Sequence, residues 1–260
     1  MQVNTVKQAL KEGKVQYGTG FAQLRSQDVA RILAAAGFHW AFIDTEHGGF
    51  GIETIQDLCR ISNICGLCPI VRVADLQYSL VARALDCGAQ GVIFPRVEDP
   101  ALLEKAVSWT KFPPVGIRGF GLTPLHVDHE PVSIAQISEH VNANSLVVLQ
   151  IETRKAVDMR DELLSVPGID AVMVGPVDLS ISLGVPGEFT HPKMVEAMEK
   201  IRDSCVKHGV APGTQTRNLA LAKFWKERGM LFLGCSSETG MLFEKAKELI
   251  GQLNAATASA

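Results

Sequence analysis

Short apolar runs alternate with amphipathic segments along most of the chain. The runs are rich in β-branched residues, as parallel strands are when both of their faces are buried. They predict eight strands, at residues 15–21, 40–44, 68–73, 91–94, 146–151, 170–174, 210–213 and 230–234. The segments between them carry apolar residues at the spacing of one helix face, so a helix is expected after nearly every strand.

This alternation predicts a single-domain α/β fold, a TIM (β/α)8 barrel. An open doubly wound sheet is the alternative, but no G-x-G-x-x-G sequence follows a strand, which counts against dinucleotide binding. Residues 1–14 are expected to form a helical lead-in, residues 15–253 the barrel, and residues 254–260 a flexible tail. Residues 111–144 interrupt the rhythm, and so long a connection is typical of a functional loop.

Charge and composition narrow the range of partners. The chain has 260 residues, a formal net charge of −3 and no block of basic residues, so neither nucleic acid nor a membrane surface is an expected partner. The apolar runs are too short to span a bilayer, and the N-terminus is a polar helix rather than a signal peptide. Six cysteines lie in apolar segments, as reduced thiols do in a cytosolic protein, so a cytoplasmic location is expected.

Two carboxylates mark the ends of neighbouring predicted strands. Glu152 closes the strand at 146–151, and Asp178 follows the next strand after the pair Gly175-Pro176. Parallel α/β folds bind ligands at the carboxyl ends of strands, and Mg²⁺-type ions prefer oxygen ligands that include one or two carboxylates. Each carboxylate could instead cap a neighbouring helix or turn.

A second group of charged residues falls at the same predicted face. Asp44 and His47 follow the second strand, and a carboxylate–imidazole pair would let the histidine move protons near neutral pH. The alternative is a surface turn in which Asp44 caps a helix, and Glu46 is expected only to support the turn. Arg72 ends the third strand, where it could pair with Glu152 or bind a substrate carboxylate or enolate oxygen.

Several stretches resemble the HpcH/HpaI aldolase family of metal-dependent pyruvate aldolases. The resemblance covers about residues 15–240 and rests on motifs that keep the order and spacing of the family. They read GFHWAFIDTEHGGF, PIVRV, LDCGAQGVIFPRVE, FPPVGIRGFG, LQIET and GIDAVMVGPVDLSISLG. The resemblance implies a TIM barrel that assembles as a homo-trimer or homo-hexamer.

The resemblance also assigns roles to residues. Glu152 and Asp178 would hold a divalent metal ion (Mg²⁺, Mn²⁺ or Co²⁺), and His47, Asp44 and Arg72 would be catalytic. The backbone amides of Val177 and Asp178 would bind the carboxylate of pyruvate. The other positions that would line the substrate site are Gln150, Gly175 and Pro176.

The implied reaction is cleavage of a 4-hydroxy-2-oxo acid to pyruvate and an aldehyde, and the reverse condensation. A metal-linked water would act as the base that removes the 4-hydroxyl proton, and His47 would relay that proton. The metal ion and Arg72 would stabilise the pyruvate enolate. A relative that uses the same enolate for oxaloacetate decarboxylation or carbon–carbon condensation is the alternative. A barrel that binds oxo acids without turnover is a more remote one.

Two departures from the family concern the aldehyde. Members often carry an arginine after the GIRG motif, whereas this loop has no cation other than its histidines, and Arg96 replaces a residue that is apolar in many members. The loop is expected to overhang the carboxyl face, so neutral or hydroxylated aldehydes are expected to react better than acid-tailed ones. The residues expected to contact the aldehyde are Arg118, Gly119, Leu122, Thr123, Leu125 and His126.

Overall fold

Eight parallel strands close on themselves in chain order, and β8 pairs with β1 to complete the barrel. The computed structural model describes residues 1–257, apart from the side chains of Pro124, Leu125 and Thr257, so residues 258–260 of the predicted tail lie outside the described part. The predicted TIM barrel is confirmed. The strands are β1 Gln16–Phe21, β2 Trp40–Asp44, β3 Cys68–Arg72, β4 Gly91–Phe94, β5 Leu146–Ile151, β6 Ala171–Val174, β7 Gly213–Thr216 and β8 Phe232–Ser237.

Helices surround the barrel, and several begin at a residue whose side chain accepts a bond from the first-turn amides, as Asn4, Ser26 and Asp99 do. Ser133 and Gln136 form a reciprocal capping box at the start of α6. The helices are α1 Thr5–Lys11, α2 Gln27–Ala35, α3 Ile52–Ile64, α4 Tyr78–Asp86, α5 Pro100–Ser108, α6 Ile134–Asn144, α7 Arg154–Asp158, α8 Arg160–Leu164, α9 Pro176–Ser182, α10 Pro192–His208, α11 Leu219–Glu227 and α12 Glu238–Thr257.

The last two strands begin later than predicted. The apolar residues Val210 and Met230 are buried, but they precede the ladder, which β7 then forms largely with polar residues. An apolar run therefore marked burial rather than strand pairing at these two places. In β8 the register against β1 shifts by one residue next to Ser236, which has a φ of 60° and forms a bulge.

Side chains fill the interior of the barrel, so it offers no passage for a ligand. Trp40 stacks on Phe232 with ring centroids 4.0 Å apart, beside Phe42, Ile70 and other buried apolar residues. A β-carbon at Gly18 would lie 2.0 Å from the Trp40 ring, so glycine makes room for this packing. A filled interior confines chemistry to the two ends of the barrel.

The amino-terminal end is closed by α1. Asn4 donates from Nδ2 to the Gln90 carbonyl over 3.1 Å. Buried Lys7 donates from Nζ to the Ser145 carbonyl over 2.8 Å and to Asp170 Oδ2 over 2.9 Å. These contacts tie α1 across the entrances of β4, β5 and β6, which leaves the carboxyl end as the open face.

The loop before α6 lies near the amino-terminal end, so the prediction that it overhangs the carboxyl face of its own barrel is wrong. Arg118 Nη2 lies 2.6 Å from Asp86 Oδ1, and His126 Nε2 lies 2.6 Å from the Asp86 carbonyl oxygen. The Gly119 amide donates to the Tyr78 hydroxyl. Asp86 ends α4 just before β4 enters the barrel, and connections from a helix to the next strand lie at that end.

The other loop residues that were expected to contact the aldehyde also lie near the amino-terminal end. Thr123 bonds to His126 Nδ1, and Leu122 lines a cavity together with Gln90 and Ser145, which precede β4 and β5. The Leu125 side chain lies outside the described part of the chain. Among residues 1–257, no helix is long and apolar enough to cross a membrane.

Candidate active site

The carboxyl ends of four strands bring most of the predicted site residues to one face. Asp44 and Arg72 are register partners at the ends of β2 and β3. Glu152 follows β5 directly, and Asp178 lies in the first turn of α9, which follows β6. Because β5 and β6 are paired neighbours, the sequence placed these two carboxylates correctly at adjacent strand ends.

Arg72 is held by two carboxylates. Its Nε and Nη2 donate to Oδ1 and Oδ2 of Asp44 over 2.9 and 2.6 Å, and its Nη1 lies 3.1 Å from Glu46 Oε2. The guanidinium also lies over the Phe42 ring. This forked contact fixes the plane of the guanidinium at the mouth of the barrel, so the open alternative of pairing Arg72 with Glu152 is not the one adopted.

The surroundings of Arg72 favour its charged form. Burial opposes that charge, but the hydrogen bond and charge of Asp44 and the charges of Glu46 and Glu152 together outweigh burial and raise the pKa of Arg72. The guanidinium is therefore a permanent positive charge that can face an enolate oxygen without giving up a proton.

Glu152 is almost fully buried, with 2% of its surface exposed. Its Oε1 accepts the backbone N–H of Arg96 over 2.9 Å, and its Oε2 accepts the Gln150 side-chain amide. Burial raises the pKa of Glu152, with smaller contributions from the charges of Glu46 and Asp178, while the two hydrogen bonds act in the opposite direction. A β-carbon at Gly175 would lie 2.6 Å from Oε2, so glycine at this position lets the carboxylate lie against the start of α9.

The turn into α9 presents Val177 and Asp178 at the surface of the open face. Their amides belong to the first helical turn, where N–H groups have no acceptor within the helix. The buried Ser180 hydroxyl stabilises this turn, because it donates to the Val177 carbonyl and accepts the Gly187 amide. The turn therefore places an exposed carboxylate, that of Asp178, next to buried Glu152.

His47 does not form the predicted side-chain pair with Asp44. The Asp44 Oδ1 atom accepts the backbone amides of Glu46 and His47, while the carboxylate as a whole is engaged by Arg72. The imidazole is 68% exposed, and its Nε2 lies 3.8 Å from Glu46 Oε1. The arginine prevails because register places it directly beside Asp44, where it makes two charged bonds at once.

Glu46 is therefore more central than the sequence indicated. Its carboxylate is buried between Arg72 and His47, with Oε2 in the ion pair with Arg72 and Oε1 3.8 Å from the imidazole. The only sequence signal was its position between Asp44 and His47. The contact from the Arg96 backbone amide to Glu152 had no sequence signal, because it depends on a φ of 53° at Arg96.

The balance of charge at this face calls for a cation. Four carboxylates, those of Asp44, Glu46, Glu152 and Asp178, lie at this face with the buried guanidinium of Arg72 and the exposed guanidinium of Arg96. Four negative charges against two positive charges leave a formal charge of −2 among these residues when all of them are ionised. Buried like charges are unfavourable unless a counter-charge is present, and a divalent cation would supply one.

The donor set suits an ion that keeps part of its shell for water and substrate. Within residues 1–257, no three His, Cys, Asp or Glu side chains form a cluster that could hold a metal. Mg²⁺-type ions are commonly bound through only one or two carboxylates, with water and substrate oxygens completing the shell. Glu152 and Asp178 provide that number, and the buried Gln150 Oε1, which has no hydrogen-bond partner in the described structure, adds a polar wall.

The sequence is similar to a known protein family and to characterised members of it. Residues 19–243 match the family model described as HpcH/HpaI aldolase/citrate lyase. A 4-hydroxy-2-oxo-heptane-1,7-dioate aldolase of Escherichia coli is 34% identical over 252 residues, which cover 97% of this chain and 95% of the relative.

Two solved structures extend the comparison. The HpcH/HpaI aldolase of Desulfitobacterium hafniense DCB-2 superposes with a TM-score of 0.90 at 32% identity, covering 95% of both chains. A macrophomate synthase superposes with a TM-score of 0.79 at 26% identity, covering 98% of this chain and 89% of that one. The chain therefore belongs to the HpcH/HpaI aldolase/citrate lyase family of carbon–carbon lyases.

Proposed function

We propose that the protein cleaves 4-hydroxy-2-oxo acids to pyruvate and an aldehyde, and catalyses the reverse condensation, with the help of a divalent metal ion. The observation that carries the proposal is the pair Glu152 and Asp178 at adjacent strand ends beside the fixed guanidinium of Arg72. Two carboxylates near a permanent positive charge support the proposal, because a bound cation and Arg72 would together stabilise an enolate.

Glu152 and Asp178 are the proposed metal ligands. The ion, which we propose to be Mg²⁺, Mn²⁺ or Co²⁺, would polarise the keto oxygen of the substrate and neutralise charge when bound. The amides of Gln150 and Arg96 hold the Glu152 carboxylate in place, so its oxygens need little reorganisation to accept a cation.

The remaining groups orient the 2-oxo acid. The amides of Val177 and Asp178 would donate to its carboxylate, in the short turn opened by Gly175 and Pro176. Arg72 would face the oxygen that becomes negative as the C3–C4 bond breaks. Because Asp44 and Glu46 already fix the guanidinium, this stabilisation is organised before the substrate arrives.

His47 is the proposed group that moves the proton. Its exposed imidazole lies beside Glu46, with Nε2 3.8 Å from Oε1. Removal of the 4-hydroxyl proton lets that oxygen form the aldehyde carbonyl, while the electrons of the C3–C4 bond pass into the enolate. Protonation of the enolate at C3 then gives pyruvate, and no lysine Schiff base is needed.

A second candidate is supported by the similarity to macrophomate synthase, whose name indicates a synthase rather than an aldolase. The same enolate could serve oxaloacetate decarboxylation or carbon–carbon condensation. Coupling pyruvate release to lactate dehydrogenase across a panel of 4-hydroxy-2-oxo acids separates the candidates. Decarboxylation of oxaloacetate as the sole activity would favour the second one, and binding of oxo acids without any turnover would favour a non-catalytic barrel.

The metal proposal predicts that a chelator abolishes activity and that Mg²⁺, Mn²⁺ or Co²⁺ restores it. Glu152→Gln and Asp178→Asn should each remove tight Mn²⁺ binding in calorimetry while circular dichroism still reports a folded barrel. Because burial raises the pKa of Glu152, Mn²⁺ affinity should fall on acidification at a higher pH than an exposed carboxylate would cause. Asp57→Asn, exposed on α3, is the matched control, and full activity in excess chelator would contradict the proposal.

Arg72→Lys tests the forked guanidinium. Lysine keeps the charge but cannot bond both oxygens of Asp44 and also reach Glu46 in the same plane. We expect kcat to fall by at least about tenfold, at the low end of losses seen when a transition-state donor is removed. The exposed Arg83→Lys serves as the control. A normal kcat combined with a lower melting temperature would make Arg72 a structural residue.

For His47→Ala, the proton-transfer role predicts a large loss of kcat with little change in the affinity for pyruvate. The imidazole is exposed and makes few contacts, so the substitution should leave the fold intact. Stopped-time pyruvate release and calorimetric titration with pyruvate give the two quantities. His129→Ala, in the exposed loop near the amino-terminal end, is the control. An equal loss of turnover and binding would show that His47 only binds substrate.

We also propose that the chain forms a homo-trimer or homo-hexamer and acts in the cytoplasm. The last helix supports assembly, because Leu242, Leu249 and Ile250 are 62%, 48% and 59% exposed in the single chain. Light scattering should report three or six copies, and Leu249→Asp should lower that number whereas Lys247→Asp, exposed on the same helix, should not. A monomer at working concentration would refute the assembly.

A further inference from the structure

Arg96 occupies an unusual position beside the proposed metal ligands. It follows β4 after Pro95 and has a φ of 53°, in the left-handed region that residues other than glycine seldom adopt. That conformation directs its backbone amide to Glu152 Oε1 over 2.9 Å. An arginine side chain therefore begins next to the carboxylate that would hold the metal, and backbone outliers of this kind cluster at functional sites.

The side chain of Arg96 is exposed and forms no ion pair with any residue of the described chain. The acidic residues of the neighbouring loops have other partners, although the charge of Arg96 also acts on Glu98. Glu98 accepts the Thr153 hydroxyl over 2.6 Å and pairs with Lys155 over 3.3 Å. Asp75 accepts the Leu76 amide and the Gln77 side-chain amide. The guanidinium is therefore available to an anion from solution.

Space for such an anion lies next to Arg96. A cavity of about 200 Å³ separates the β3–α4 and β4–α5 loops, and its charged walls are Asp75, Glu98 and Arg96. Both loops leave the barrel at the open face, so the cavity adjoins the site that holds Arg72 and Glu152. The part of a substrate that extends beyond the reacting carbons can occupy it.

We propose that Arg96 determines specificity for the distal end of the substrate, and that its guanidinium binds a terminal carboxylate there. The inference rests on the proposed aldol reaction. A guanidinium matches the two oxygens of a carboxylate with a pair of parallel bonds, which an apolar residue cannot offer. It reverses the expectation that neutral aldehydes react better, because that expectation relied on the loop of residues 119–131, which lies away from this face.

The test compares acid-tailed and neutral aldehydes in condensation with pyruvate. The quantity measured is the ratio of kcat/KM for succinic semialdehyde to kcat/KM for glycolaldehyde, which cancels general effects on the metal site. Arg96→Leu and Arg96→Gly should each lower this ratio by about tenfold, the effect of one lost charged contact. Arg96→Lys should lower the ratio less, because lysine keeps the positive charge. Because glycine accepts a positive φ without strain, agreement between the Leu and Gly variants assigns the effect to the side chain.

Arg217→Leu is the matched control. Arg217 is also exposed, follows β7 at the same face and has no ion pair with the described residues, so its loss should leave the ratio unchanged. A ratio that Arg96→Leu and Arg96→Gly leave unchanged overturns the proposal. An equal fall in Arg217→Leu also overturns it, because the effect would then come from general charge at this face.

A binding measurement separates this inference from the proposed function. Calorimetry on the Mn²⁺-loaded protein should show that Arg96→Leu weakens 2-oxoadipate, which carries a terminal carboxylate, about tenfold more than pyruvate. If the wild-type protein cleaves no 4-hydroxy-2-oxo acid but shows this difference, the aldol proposal fails and the role of Arg96 stands. If the wild-type protein cleaves 4-hydroxy-2-oxo acids but Arg96→Leu weakens 2-oxoadipate and pyruvate equally, the role of Arg96 fails and the aldol proposal stands.

Discussion

The site depends on one ion pair, the forked contact between Asp44 and Arg72 across neighbouring strands. Both residues are largely buried, and their bonds of 2.9 and 2.6 Å share one plane. Removing either partner would leave a buried charge without compensation, which is costly. Arg72 is paired with Asp44 and Glu46, and neither Glu152 nor Asp178 forms an ion pair with a basic residue of the described chain. That remaining negative charge is what makes the open face suited to a divalent ion.

The barrel makes this arrangement possible because its stability comes from elsewhere. The interior is filled by Trp40, Phe232 and other apolar side chains, and α1 closes the amino-terminal end. The closed end has its own buried ion pair, between Lys7 and Asp170, beside the buried Lys111, whose pKa burial and the charge of Lys7 lower to about 7. The open end keeps an excess of like charge, as functional sites often do at some cost in stability.

Sequence reasoning located strand ends well and side-chain partners poorly. The strand pattern placed Asp44, Arg72, Glu152 and Asp178 at one face, because topology alone fixes where a parallel strand ends. It paired Asp44 with His47, which is near in sequence, whereas the actual partner Arg72 is near through strand register. The long loop was predicted at the wrong end, because a segment that joins α5 to β5 lies at the end where strands begin. Strands β7 and β8 begin later than predicted, because Val210 and Met230 are buried without pairing to a neighbouring strand.

The groups that hold Glu152 belong partly to the backbone, and this has a consequence for specificity. The Arg96 amide and the missing β-carbon of Gly175 both position the carboxylate, yet neither contact uses the Arg96 side chain. A relative could therefore carry another side chain at this position and keep the backbone hydrogen bond to Glu152, provided that its backbone retained the left-handed conformation. The chemistry common to the family and the choice of substrate can then change independently at one position. Fold and reacting groups define the family, whereas side chains at the rim define the substrate.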